Sequence, residues 1–202
     1  MHLAEGVLSL PTLVGAAVVS AAGIAVGMKQ LTPQKLPVAA LFAAVFFLIG
    51  TIHVPIGIGS VHLILNGLIG LLLGWLAFPV IFVALVLQAL LFSFGGFMVL
   101  GANTLLLAAP ALAAHYLLRS PLISSSSSSN KLMFIGAMAA AIGIGGATLV
   151  AAMLLWTTGQ SAFIGLITLL AAAQLPVLLI DAVVSALVVT MLARVLPKVL
   201  RL

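Results

Sequence analysis

The sequence predicts an all-α membrane protein: a bundle of about seven transmembrane helices in one integral domain over residues 1–202. Three observations carry this. The chain is 65% hydrophobic and 4% charged, whereas a soluble domain carries about 25% charged residues. Long uncharged apolar runs recur at lengths near the roughly 20 residues that a bilayer core of about 30 Å requires. The few bases fall only in alternate connections between those runs, which gives the bundle one consistent orientation.

The spans are expected at 9–28, 36–52, 62–78, 79–94, 97–118, 131–157 and 176–197. Pro11, Pro37 and Pro176 suit first-turn positions, where a missing N–H removes nothing that the helix uses. Residues 61–92 are too long for one crossing, and Pro79 supplies the break. Residues 120–130, with the serine run Ser124–Ser129, read as a flexible connector without chemistry. Residues 162–173 are apolar, but a further crossing there would export the C-terminal bases. A short outer helix packed on the bundle is expected instead.

The charges orient the bundle. Lys29 and Lys35 lie between the first two spans, Arg119 and Lys131 flank the fifth connection, and Arg194, Lys198 and Arg201 end the chain. With the N-terminus outside and the C-terminus cytoplasmic, all seven bases lie inside. Glu5, His53 and His62 then lie outside. No positively charged region precedes the first span, so no cleaved signal peptide is expected. The net charge of +5 forms no dense patch and does not point to nucleic acid. Cysteine is absent, so thiolate metal sites and disulfides are excluded.

Small residues recur four apart at Ala17, Ala21 and Ala25, and again at Ala139, Gly143, Ala147 and Ala151. Such stripes let helices approach closely in lipid. Two readings stay open for them: packing within the bundle, or docking of another membrane subunit. Trp75, Tyr116 and Trp156, near helix ends, read as interface anchors.

The polar inventory is short. Met1-His2 can offer a terminal amine, an amide nitrogen and an imidazole, closing two fused chelate rings in a plane. A planar nitrogen set suits nickel(II) or copper(II). His62, behind the tight Pro55-Ile56-Gly57-Ile58-Gly59-Ser60 loop on the same face, can supply the fourth nitrogen. His53 is a second-shell or entry residue of this site, and Glu5 can neutralise it or orient an imidazole. Asn103 is a buried polar group that must find partners and can brace the outer loops. Asp181 lies inside the seventh span, with a structural or an ion-handling role. His115, beside Arg119 on the inner side, should not reach the site.

Met1-His2-Leu3-Ala4-Glu5-Gly6-Val7-Leu8 resembles the opening of the NikM/CbiM family. Members are the substrate-binding membrane subunits of energy-coupling-factor nickel and cobalt importers. The likeness continues at Val54-Pro55-Ile56-Gly57-Ile58-Gly59-Ser60-Val61-His62-Leu63, at Phe94-Gly95-Gly96 and at Leu100-Gly101-Ala102-Asn103-Thr104. It implies metal ligands at Met1, His2 and His62, with Glu5, His53, Ser60 and Asn103 around them. The chain departs from the family pattern at His53, Gln174 and Asp181. The resemblance also implies partners: a membrane scaffold subunit, cytoplasmic ATP-binding-cassette ATPases and often a small accessory membrane subunit.

The expected function is metal capture at the outer face of a prokaryotic cytoplasmic membrane. Nickel(II) is the first choice as transported ligand and cobalt(II) the alternative, with no cofactor. The chain has no phosphate-binding Gly-x-x-x-x-Gly-Lys-Ser/Thr pattern, so ATP hydrolysis belongs to other chains and this one is no enzyme. A self-sufficient secondary transporter of divalent metal would need several polar groups along a path through the bilayer. Only isolated ones such as Asn66 and Gln88 lie below the outer third.

Overall fold

A computed structural model describes residues 3–52, 54–56, 59–124, 128–158, 163–197 and 200. Met1, His2 and His53 lie outside the described residues. The chain forms α1 (Leu10–Lys29), α2 (Leu36–Thr51), a hairpin of β1 (Val54–Ile56) and β2 (Gly59–Val61), and then α3 (Asn66–Leu73). A 3-10 turn (Gly74–Leu76) leads to α4 (Ala77–Phe92), α5 (Leu100–Ser124), α6 (Ser129–Thr157) and α7 (Phe163–Val195). Among the described residues, five stretches are long and apolar enough to cross a bilayer: Leu10–Lys29, Asn66–Phe92, Leu100–Ser124, Ser129–Thr157 and Ala172–Val195. Leu36–Thr51 is shorter. The protein is a multi-pass helical membrane protein.

The third expected span, 62–78, is helical only from Asn66. The residues before it pair as an antiparallel hairpin, with Val54 opposite Val61, Pro55 opposite Ser60 and Ile56 opposite Gly59. The break falls at Gly74 rather than at Pro79. Gly74 has φ +59°, a left-handed conformation that side chains resist, and its Cβ-less face lies against the His115 ring. Pro79 sits in the first turn of α4, where no donor is missed.

The break turns Asn66–Phe92 into a reversal rather than one rod. Asn66, Gly70 and Gly74 meet Leu107, Ala111 and His115 at matched spacing, so α3 runs parallel to α5. The chain then returns along α4. Trp75 and Pro79 lie against Gly27 of α1, and Gln88 reaches the Phe47 carbonyl of α2 at 3.3 Å. This inner pair is the most buried part of the molecule: Leu71, Ala77, Ile81 and Ala84 are fully enclosed.

Small residues permit the close approaches. Ala139, Gly143, Ala147 and Ala151 of α6 are all buried, so this stripe serves packing within the bundle. Gly143 lies against Gly67, where a Cβ would stand 2.6 Å from the Gly67 nitrogen. In α1 the buried residues are Ala16, Ser20, Gly23 and Gly27, whereas Ala17, Ala21 and Ala25 are exposed. Gly23 faces the Phe78 ring. In a chain whose outside faces lipid, apolar surface does not mark burial, so the spacing of Ala17, Ala21 and Ala25 did not reveal that they are exposed.

Two further expectations are corrected. Residues 163–173 are not a separate short helix but the first turns of a continuous α7 that runs through Pro176. Proline is tolerated within membrane helices because neighbours and local adjustments satisfy the freed carbonyl. The connector expected over 120–130 is shorter, because α5 continues to Ser124 despite Pro121 and α6 begins at Ser129.

The ends of the bundle differ in chemistry. At one end Ser9 and Thr12 of the N-terminal region meet Thr158 and Thr157. At the other, Arg194 donates to Ser129 at 3.2 Å, and Lys35, His115 and Arg119 gather near the Gly74 turn.

Close packing at α3 is directly testable. In Gly70→Ala the new Cβ would stand 2.5 Å from the Ala111 Cα, so a loss of about 1–3 kcal/mol is expected. Gly145→Ala, with nothing within 4 Å, should leave stability unchanged or raise it by about 0.5–1 kcal/mol. Thermal melting midpoints of the two variants in one detergent check the contrast.

Candidate metal centre

The N-terminal segment is held by one side chain. Asn103 accepts from the Leu3 N–H at 2.8 Å and donates to the Leu3 carbonyl at 3.1 Å. Its carboxamide thereby acts as a neighbouring strand would, satisfying both backbone groups of one residue. Asn103 is 2% exposed, and Leu3 and Leu8 are buried with it. Both partners would be costly to leave bare in an apolar bundle, so the bracket fixes Leu3 firmly.

Glu5 adds a second anchor. Its carboxylate accepts from the Met98 N–H at 3.1 Å, just before α5. An anion is favourable there, where helix N–H groups lack internal partners. Gly96, at φ +105°, leaves the space that the Glu5 carboxyl fills. Glu5 thus ties the N-terminal segment to the loop before α5.

The strand leaving the hairpin is held in the same manner. His62 is half-buried, and its Nδ1 lies 2.9 Å from the Leu63 carbonyl. A carbonyl only accepts, so Nδ1 carries the proton in this contact. This is the tautomer arrangement that outer-shell carbonyls impose on metal-binding imidazoles. Three residues on, the Leu65 N–H donates to both carboxylate oxygens of Asp181, at 3.2 and 3.1 Å. Leu65 has φ +52°, so this fully buried acid caps α3 from α7 across a strained residue. Asn66 then donates to the Leu107 carbonyl at 3.0 Å and the Gly143 carbonyl at 3.1 Å, joining α3, α5 and α6.

Asn103 and Leu107 are one turn apart on α5, about 6 Å along its axis. The segment that begins one residue after His2 and the stretch from His62 into α3, held through Asn66, therefore meet adjacent turns of one helix. Of the sequence candidates, Asn103 holds Leu3, Glu5 binds a loop amide, and His62 contacts the Leu63 carbonyl through Nδ1. Ser60 pairs with Pro55 through the hairpin register. His115 lies at the opposite end, with Nδ1 3.2 Å from the Leu71 carbonyl. Among the described residues no three histidines, cysteines or acids converge on one point. The capping role of Asp181 and the three-helix junction at Asn66 were not specified by the sequence. Their only signal is a polar residue inside an apolar run.

Known proteins resemble this chain in sequence and in fold. The family profile of a cobalt uptake substrate-specific transmembrane region, CbiM, matches residues 2–199. A protein of Haemophilus influenzae, provisionally named a metal transport protein, is 49% identical over 200 residues, covering 99% of this chain and 97% of its own length. The fused nickel transport protein NikMN of Rhodobacter capsulatus is 40% identical over 114 residues, covering 52% of this chain and 32% of its own length. A solved structure of a truncated transition metal transporter superposes with a TM-score of 0.75 at 26% identity, covering 98% of this chain and 99% of that one.

The bracket at Leu3 has a measurable consequence. In Asn103→Leu both Leu3 backbone groups lose their partner, at a cost of about 1–3 kcal/mol each. Hydrogen–deuterium exchange over residues 3–9 should accelerate at least about tenfold, the factor that 1.4 kcal/mol brings. Exchange over α6 should stay as in the parent protein.

Proposed function

The chain belongs to the family of cobalt uptake substrate-specific transmembrane regions, and from that premise we propose that it captures nickel(II) at the end of the bundle where the N-terminal segment and the His62 strand meet. A cobalt and nickel uptake component transports and does not catalyse. The proposed ligands are the Met1 amine, the Met1–His2 amide nitrogen, the His2 imidazole and the His62 Nε2. The observation that carries this reading is the convergence on α5: Leu3 bracketed by Asn103, and the His62 strand docked one turn deeper.

Four nitrogens in a plane suit nickel(II). Nickel is also the metal in the name of the Rhodobacter relative. Cobalt(II) is the second reading, because the family description names cobalt. In this proposal Asn103 and Glu5 act through the backbone they hold, fixing the position from which His2 reaches the metal. Asp181 fixes the exit of the His62 strand.

The orientation is part of the proposal. The described bases Lys29, Lys35, Arg119, Lys131 and Arg194 belong to the end opposite Leu3 and Glu5, and Lys/Arg excess marks the cytoplasmic side. The metal end then faces outward, in the cytoplasmic membrane of a prokaryote. We propose that release to the inside is driven by partners of the energy-coupling-factor type: a membrane scaffold subunit, cytoplasmic ATP-binding-cassette ATPases and a small accessory membrane subunit.

His2→Ala and His62→Ala should each reduce nickel affinity at least about a hundredfold, whereas His115→Ala should leave it unchanged. One residue added before Met1 should weaken binding as strongly, because it displaces the amine. Affinity should fall below neutral pH as the histidines protonate. Calorimetry on purified variants reads all of these, and full affinity in the extended protein overturns the amine ligand.

Sidedness has its own test. The chain has no cysteine, so single introduced thiols report cleanly. A membrane-impermeant label applied outside should modify Ile58→Cys but not Ser126→Cys. Equal labelling of both reverses or dissolves the orientation.

A further inference from the structure

The end of the bundle opposite the N-terminal segment holds a cavity of about 300 Å³ between the Gly74 turn and α5. Its polar lining includes Gln30, Lys35, His115, Tyr116 and Arg119. A second hollow of about 460 Å³ shares His115, Tyr116 and Arg119 and continues along α5 past Ser120 to Ile123.

The charge in this cavity is one-sided. Lys35 and Arg119 are cations, and His115 and Tyr116 bring further polar atoms. The two acids of the chain, Glu5 and Asp181, are both engaged elsewhere. The Arg119 Nη1 is buried and has no hydrogen-bond partner among the described residues. A buried guanidinium donor without an acceptor is costly, and its planar fork matches phosphate geometry. Among the described residues none supplies that acceptor, which leaves the donor open to a ligand.

The flank of the cavity says what kind of molecule. Along α5, Tyr116 is 65% exposed and Leu117 63%, and Ile123 continues the apolar edge. Trp75 donates from Nε1 to the Tyr116 hydroxyl at 2.8 Å, an aromatic pair of the kind that sits at headgroup depth. An anion that arrives with its own hydrocarbon fits both parts, headgroup in the cavity and acyl chain along α5. We propose that this cavity binds the phosphate of an anionic phospholipid, with Arg119 and Lys35 as its donors. Basic pockets between membrane helices are suited to such headgroups. The bound lipid would also bridge the α1–α2 connection, the Gly74 turn and α5, which line the site.

The test uses the full chain reconstituted in vesicles of equal parts phosphatidylglycerol and phosphatidylcholine, extracted and read by native mass spectrometry. The parent protein should retain phosphatidylglycerol in preference to phosphatidylcholine. Arg119→Gln and Lys35→Gln should each lower that retention about tenfold, the effect of one charge-assisted hydrogen bond. Lys131→Gln, outside the cavity, should not. Melting midpoints establish that each variant folds. Lys35→Gln and the charge-keeping Arg119→Lys, which should retain an intermediate amount, decide the matter if Arg119→Gln does not fold. Unchanged retention in folded Lys35 and Arg119 variants overturns the proposal. A parallel arm in the same mixed vesicles adds inorganic phosphate. Arg119-dependent binding of phosphate that also displaces phosphatidylglycerol would make free phosphate the ligand and overturn the lipid assignment.

Discussion

A polar group inside a bilayer finds its partner within the chain or goes without, and two short stretches of non-helical backbone in this protein exist only because side chains meet that demand. Asn103 closes both backbone groups of Leu3, and Asp181 with Asn66 receives the strand that carries His62. Each device replaces hydrogen bonds that a helix or sheet would have supplied. Without them the N-terminal segment and the residues before α3 would have to leave the bundle or become helical. Either change would separate the two stretches that the metal reading brings together.

The same constraint explains why α3 is short and so deeply enclosed. An eight-residue helix leaves unpaired N–H groups at its start that lipid cannot satisfy. Asp181 reaches one of them, the Leu65 N–H, from α7, and the glycines at 67 and 70 let α5 and α6 lie against the α3 backbone itself. Association of helices in lipid depends on such close packing, since apolar side chains gain little there by leaving hydrocarbon. The reversal at Gly74 returns the chain along α4, so the end that holds Leu3 and the basic end are joined by two parallel walls, α3 and α5.

The two ends divide the chemistry of the molecule. One gathers a loop carboxylate, a half-buried imidazole with its tautomer set by a carbonyl, and the start of the chain. The other gathers lysine and arginine around a cavity beside lipid-facing aromatic residues. On the proposals above, a metal cation would bind at the first and an anion at the second. Substrate capture and membrane-surface contact thus need not compete for the same residues.

Several features were legible in the amino-acid sequence by itself. The helical membrane class, the alternation of bases and the identity of His62 and Asn103 as special residues follow from composition and from polar groups inside apolar runs. Those signals are local: the cost of charge in lipid acts on each residue wherever it sits. Helix boundaries at 62–66, 74 and 163 and the buried side of α1 were decided by tertiary structure. In an apolar chain both faces of a helix are hydrophobic, so periodicity does not mark the core, and a proline marks a break only where no neighbour stabilises the continuing helix. The pairings Leu3–Asn103 and Leu65–Asp181 link residues about a hundred positions apart. Their necessity could be read from each buried polar group, but their partners depended on which backbone groups the packed bundle left unsatisfied.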